Sequence, residues 1–283
     1  MTRLREEDIA GIEARLVRHD AELRRQTGAG LRDIALCAAS APRRFARQLQ
    51  GRPVAVLPVT TGQGIIGGFS ESVRGILAFL GMDAFVTQRP DVAGLVEAVE
   101  SGAGQVFLAD DDTCTMLDFA SHATVENSAA TGRGFAAALA LAAGDLRGRT
   151  VTVLGAGIVG RSAAAYLRDC GADLVLYDTD ETRTAPFSHR PHFAVARSLR
   201  EALDASNLYF EATTARGTID VSDMDEETLV AAPGIPLGVT DAALARYGAH
   251  IIHDPLELGV AAMACELQVA AAGVLFDENK KIG

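Results

Sequence analysis

Apolar residues are spaced in two ways along this chain, and the change falls near residue 53. Before it, Ile9, Ile12, Leu16 and Leu23 recur at roughly helical spacing within an Arg- and Glu-rich stretch, which predicts an amphipathic helix over 6–25. Residues 31–39 predict a second helix, and the basic stretch over 41–52 reads as a solvated helix and connector. PVAVLPVT at 53–60 is then almost continuously apolar, as a buried strand is. A glycine-rich turn leads to an amphipathic stretch over 69–80, with Gly81 as a stop signal. A short strand at 84–87, a helix capped by Asp91 and running to about Glu100, and a strand at 105–109 follow. Alternating strands and helices predict a small parallel sheet with right-handed crossovers. A polar loop containing Glu126 and Asn127 comes next, then a helix over 131–143 that ends at Gly144.

The pattern restarts after a link at 146–150. A strand at 150–154, a helix to about Cys170 and a strand at 174–178 are followed by strand candidates at 193–196, 208–213, 229–232 and 250–253. The predicted fold class is therefore α/β: N-terminal helices and a small parallel-sheet domain, then a doubly wound Rossmann domain. The expected boundaries are 1–145 for the helical and substrate-binding unit and 146–283 for the nucleotide-binding unit. A C-terminal helix over 267–276 is expected to pack on the first unit or on a second subunit of a homodimer.

Charge narrows the partners. Twenty-six basic against 37 acidic residues leave a net charge of −11, which argues against general nucleic-acid binding. The longest clean apolar run, 135–143, falls far short of the roughly 20 residues that span a bilayer. No apolar signal core follows Met1, so a cytoplasmic protein is expected. Cys37, Cys114, Cys170 and Cys265 are scattered without a CxxC pair, so they read as reduced thiols, and no metal site is expected.

The GxGxxG pattern occurs twice. At Gly155-Ala156-Gly157-Ile158-Val159-Gly160 a strand precedes it, a helix follows, and Asp178 ends the next strand 18 residues beyond Gly160. The helix N-terminus there favours a pyrophosphate, and Asp178 suits ribose hydroxyls and repels a 2′-phosphate, so NAD is expected over NADP. Arg183 would soften that preference if it turned inward; a solvated position is expected. The first copy, Gly62 to Gly67, lacks the acid. Its neighbours Thr60, Thr61 and Gln63 lie at the carboxyl end of a parallel strand and read as a substrate clamp, or else as a tight structural turn.

Other strand ends carry chemistry as well. Asp110, Asp111 and Asp112 follow the 105–109 strand, where they would hold an ammonium group, act as general base, or form an ordinary acidic turn. Asn127 is placed to cap a helix or to bond substrate. Asp254 should face the inter-domain cleft, with His253 read as structural. Pro233 to Pro236, with Thr213 and Thr214, are placed to line a nicotinamide pocket.

Taken together, PVTTGQGIIGGFSES (58–72), LADDDT (108–113), VLGAGIVG (153–160), FEAT (210–213), PGIP (233–236) and DPLELGVAAM (254–263) resemble the pyrrolysine synthase family, in family order. The resemblance implies an NAD-dependent amine dehydrogenase. Its small-molecule substrate is a lysine whose side-chain amine is acylated by 3-methyl-D-ornithine, and oxidation of the terminal amine is followed by loss of ammonia and ring closure. It implies substrate contacts at Leu4, Thr61, Gln63, Phe69, Asp110, Asn127 and Asp254, with Asp110, Thr61 and Asn127 nearest the chemistry. It also implies movement of the helix that follows Asn127. Thr61, Gln63 and Asp254 stand where the family carries Ser, Asn and Glu. Two other readings stay open: a dehydrogenase of a smaller diamine or amino acid, and an NAD-binding sensor without turnover.

Overall fold

The computed structural model describes residues 4–42, 45, 47, 49–50 and 53–273. The helix expected over 6–25 is two helices, α1 (Glu6–Ile9) and α2 (Ile12–Thr27), with α3 (Leu31–Ala38) following. Ala10 leaves helical geometry and Gly11 adopts φ +70°, a conformation that glycine takes without a Cβ penalty. Much of the basic 41–52 stretch, and the end of the expected tail helix, lie outside the described residues.

The first sheet has the order β2-β1-β3-β4-β5. Strands β1 (Pro53–Leu57), β2 (Asp83–Val86) and β3 (Gln105–Ala109) are parallel and joined through α4 (Phe69–Phe79) and α5 (Asp91–Glu100), as the pattern predicts. The region after Asp112 is a correction. It is not a plain polar loop but two further antiparallel strands, β4 (Cys114–Asp118) and β5 (Thr124–Glu126). Cys114, Met116 and Asp118 alternate inward along β4. Asp118 is the position that hides the alternation: it is 2% exposed, and its carboxylate accepts from Gln105 Nε2 at 3.0 Å and from the Ser121 N–H at 2.8 Å.

Helix α6 (Asn127–Ala143) begins earlier than expected. Glu126 is its cap, accepting from Ala129 N–H at 3.1 Å, and Asn127 is its first residue. Beyond Thr131 its residues are small or apolar except Arg133, and from Ala130 to Leu139 it is mostly buried, as a helix apolar on nearly every face must be.

The second sheet is parallel throughout, with the order β11-β10-β9-β6-β7-β8. Its elements are β6 (Thr150–Leu154), α7 (Ile158–Asp169), β7 (Asp173–Tyr177), α8 (Glu181–Thr184), β8 (Phe193–Val195), α9 (Leu199–Asp204), β9 (Leu208–Glu211), β10 (Leu229–Ala231), α10 (Asp241–Tyr247), β11 (Ile251–Ile252) and α11 (Glu257–Ala271). This is the doubly wound Rossmann order, with its switch point between β6 and β9.

The two units are joined by helices. Gly132 of α6 lies so close to α7 that a Cβ there would meet Val159 O at 2.3 Å. Helix α11 packs on α3, α4, α6 and β4, which belong to the first unit. Gln268 Nε2 donates to Gln105 Oε1 at 2.7 Å, and Arg133 of α6 pairs with Glu266 of α11. Among the described residues, no helix is long and apolar enough to cross a membrane.

Candidate active site

The glycine turn after β6 divides its tasks. Gly155 has φ +91°, and a Cβ there would sit 2.6 Å from Ala212 O, against the end of β9. A Cβ on Gly160 would lie 1.8 Å from Gly155 O, so α7 can start where it does only without a side chain. Gly157 is different: a Cβ there meets nothing nearer than the tip of Arg183, at 3.8 Å. Its surroundings are open space at a helix N-terminus, where a phosphate is favoured. Asp178 lies just beyond β7, its carboxylate accepting from Ala156 N–H at 2.7 Å and from Asp180 N–H at 2.9 Å. Arg183 pairs with Asp180 at 3.3 Å and comes within 3.9 Å of Asp178, so it leans over the acids rather than standing wholly in solvent. Ile158 is exposed beside the turn. An open backbone cradle, a helix start and an acid at the next strand end together fit a dinucleotide.

A cavity of about 260 Å³ lies between the carboxyl ends of the two sheets. Leu4, Phe69, Asp110, Asn127 and Asp254 line it, and so do Val159, Thr213, Thr214 and Pro233. Most of the residues read from the sequence as substrate and nicotinamide contacts thus meet at one cavity; Thr60, Thr61, Gln63 and Pro236 do not line it, and Pro236 lines a second cavity instead. Thr61 and Gln63 are exposed on the loop beside it and are not among its lining residues; Gly64, Ile65 and Ile66 are. That loop is tied down by acids from three directions. Asp91 accepts from the N–H of Thr60 at 2.8 Å and from its hydroxyl at 2.5 Å, Asp111 accepts from Gln63 N–H at 2.7 Å, and Glu6 accepts from Gly67 N–H at 3.1 Å. Asp91 therefore serves the loop, and no side-chain bond caps its own helix.

The three aspartates after β3 have separate surroundings. Asp110 Oδ1 accepts from the backbone N–H groups of Thr113 and Asp112, at 2.7 and 2.9 Å. Those bonds hold its carboxyl below the usual carboxylate range. Asp111 faces both the loop and the cavity, and Asp112 is exposed. Asn127 Oδ1 accepts from the Thr131 hydroxyl at 3.3 Å in the first turn of α6. Phe69 is backed by Phe107, with ring centroids 6.1 Å apart.

Asp254 is 4% exposed, and its carboxylate accepts from Leu258 N–H at 3.1 Å and meets His19 Nε2 at 3.2 Å. His253 is held through Nδ1 to Ala232 O at 2.6 Å, a structural contact. Behind Asp254, Glu257 is fully buried and paired with Arg15 at 3.1 Å. Burial and the neighbouring Asp254 raise the Glu257 pKa.

Sequence reasoning named Asp254 and His253 but missed His19, Glu257 and Arg15. The signal was present: with Ile12, Leu16 and Leu23, His19 completes a 4-3-4 spacing and so falls on the buried face of α2. Glu211 was missed too. It ends β9 fully buried, accepting from the Thr213 N–H at 3.0 Å and from the Thr213 hydroxyl, and burial lifts its pKa to about 7.

The family described as "Pyrrolysine biosynthesis protein PylD, N-terminal domain" matches residues 8–124. The chain is 31% identical over 271 residues to pyrrolysine synthase of Methanosarcina acetivorans, covering 93% of this chain and 98% of that relative. This chain belongs to the pyrrolysine synthase family. Among solved structures, shikimate dehydrogenase of Aquifex aeolicus is similar with a TM-score of 0.52 at 14% identity, over 80% of this chain and 98% of that one. Quinate dehydrogenase of Corynebacterium glutamicum, solved with NAD, gives 0.50 at 15% identity, over 79% and 94%. At such identities the likeness concerns the fold, and it agrees with an N-terminal unit followed by a Rossmann sheet.

Proposed function

We propose that the chain catalyses the NAD-dependent oxidation of the terminal amine of lysine-Nε-(3R-methyl-D-ornithine), followed by loss of ammonia and closure to pyrrolysine. One observation carries this reading in a chain of this family: a single cavity lined on one side by Asp110, Asn127 and Asp254 and on the other by Val159, Thr213 and Pro233. The curated relative's name and the family membership support the substrate; the open turn at Gly157 and the acid at Asp178 support NAD.

When bound, NAD would accept hydride from the carbon that bears the amine. The turn from Gly155 to Gly160 and Asp178 would hold it. Asp110, kept ionised by backbone N–H donors, is suited to hold an ammonium group rather than to take its proton. Asn127 offers an amide to the substrate, while Leu4, Phe69 and Ile66 supply apolar wall that excludes water. Holding the oxidised carbon and the ornithine α-amine in one cavity makes ring closure intramolecular, a large entropic advantage. The first turn of α6 can adjust around substrate, whereas moving the whole helix would expose its buried face from Ala130 onward.

The test is NADH formation by purified protein with NAD and the synthetic isopeptide, with mass spectrometry of the product. A product lighter by ammonia and two hydrogens supports the reading. NADH binding without NADH formation from the isopeptide rejects it. Turnover of free ornithine analogues instead would favour the smaller-diamine alternative.

A further inference from the structure

A second cavity, of about 480 Å³, lies on the other side of Asp254. Asp254, Pro255 and Ile235 line both cavities, so they form the wall between them. The wall contains one polar connection. Asp254 reaches the first cavity with a side chain only 2% exposed; its Oδ2 lies 3.2 Å from His19 Nε2; and His19, 13% exposed, lines the second cavity.

We propose that His19 is a proton-relay residue that takes the substrate's proton from Asp254 and releases it into the second cavity. The proposal rests on the amine oxidation proposed above. An alkylammonium cannot release hydride from its carbon until nitrogen has lost a proton. That proton passes to the Asp254 carboxylate, whose O–H then gives it to the lone pair on His19 Nε2. The resulting imidazolium loses its Nδ1 proton to water in the second cavity. Each transfer breaks one bond to hydrogen and forms another; Asp254 returns to a carboxylate and His19 to a neutral imidazole in its Nε2–H tautomer, and a flip of the ring then turns its free nitrogen back to Asp254 for the next proton. No electrons move in these steps.

Geometry favours this route over Asp110, whose carboxylate is kept ionised by backbone donors. The surroundings of His19 suit a relay. Asp254 faces it from the loop after β11, Glu257 from α11, and Glu22 and Arg15 from its own helix, while Asp8, Arg18, Arg216 and His253 share its cavity. Burial alone would push the His19 pKa down, but the hydrogen bond and charge of Asp254, with Glu257 and Glu22, outweigh it and leave the pKa raised. The acceptor form of His19 is therefore reached at a higher pH than for an ordinary histidine.

The experiment compares wild type, His19→Gln and His19→Ala across pH, with kcat and KM for the isopeptide measured separately and NADH binding followed by fluorescence. Wild-type turnover is measured first. If none occurs while NADH binds, the proposed reaction fails and the relay with it. With turnover present, wild-type kcat is expected to fall on the acid side with an apparent pKa above the usual histidine value. His19→Gln is expected to lower kcat by about a hundredfold and to abolish that limb, with KM and NADH affinity within about threefold. Added imidazole is expected to restore part of the His19→Ala rate, which a purely structural histidine would not allow. A His19→Gln enzyme with unchanged kcat and pH profile overturns the relay, as does a loss confined to KM or NADH binding. If His19→Ala fails to bind NADH, His19→Gln alone decides.

Discussion

Asp178 Oδ2 accepts a hydrogen bond from Ala156 N–H at 2.7 Å, so the acid after β7 and the glycine turn after β6 are one bonded unit. Asp178→Ala should therefore both release the turn and remove the ribose acceptor. Losing bonds to a charged group on this scale is worth roughly 1.5–3 kcal/mol, about ten- to a hundredfold in NADH affinity. With Arg183 already beside the acids, the NADPH:NADH preference should rise. Fluorescence titration with both nucleotides measures this.

Two glycines of the same turn should fail in different ways. Gly160→Ala drives a methyl to 1.8 Å from a backbone carbonyl, so the helix start must shift; a loss of roughly 1–3 kcal/mol in denaturant unfolding is expected. Gly157→Ala meets only a flexible arginine tip and should unfold like wild type. Its NADH affinity should nevertheless drop, because the methyl stands where the phosphates approach.

Glu211 should make stability depend on pH. Its folded pKa, about 7, lies above the ordinary glutamate value of 4.5 because burial disfavours the charge. A group with a raised folded pKa contributes fully at low pH, and its contribution is lost as pH rises through the folded value. Wild type should thus lose stability between about pH 5 and 8, by roughly 3 kcal/mol at most. Glu211→Gln should lack that loss. Urea melts at the two pH values test it.

Asp110→Asn separates holding from deprotonation. If the ionised carboxylate anchors an ammonium group, KM should rise by about tenfold or more while kcat changes little. The pH profile of kcat should keep its acid limb, because Asp110 is ionised well below that range.

Much of this arrangement was legible in the sequence. The near-continuous apolar runs at β1 and β3, and the strand–glycine turn–helix order after β6, left few choices for a parallel sheet, and the glycine turn with Asp178 marked the nucleotide end. Residues whose chemistry comes from tertiary burial were not legible. Asp118 interrupts the inward row of β4, so a strand read as loop. Glu257 looks like a surface acid in a short motif and His19 like one more polar residue of a charged helix, although its spacing marks the buried face; the contacts His19–Asp254 and Arg15–Glu257 that give them their chemistry form only in the folded chain. Thr61 and Gln63 posed the reverse problem: polar residues at a strand end suggested a ligand, but here it is the backbone N–H of Gln63 that is held by Asp111, and both residues stay exposed.

The packing of α11 sets an order of assembly. A ribosome delivers the first 145 residues long before residues 257–271, yet α3, α4 and α6 bury their faces against that last helix. The early-made unit leaves the tunnel with those faces uncovered until residues 257–271 follow. The chain's first unit is covered by a helix synthesised well after it.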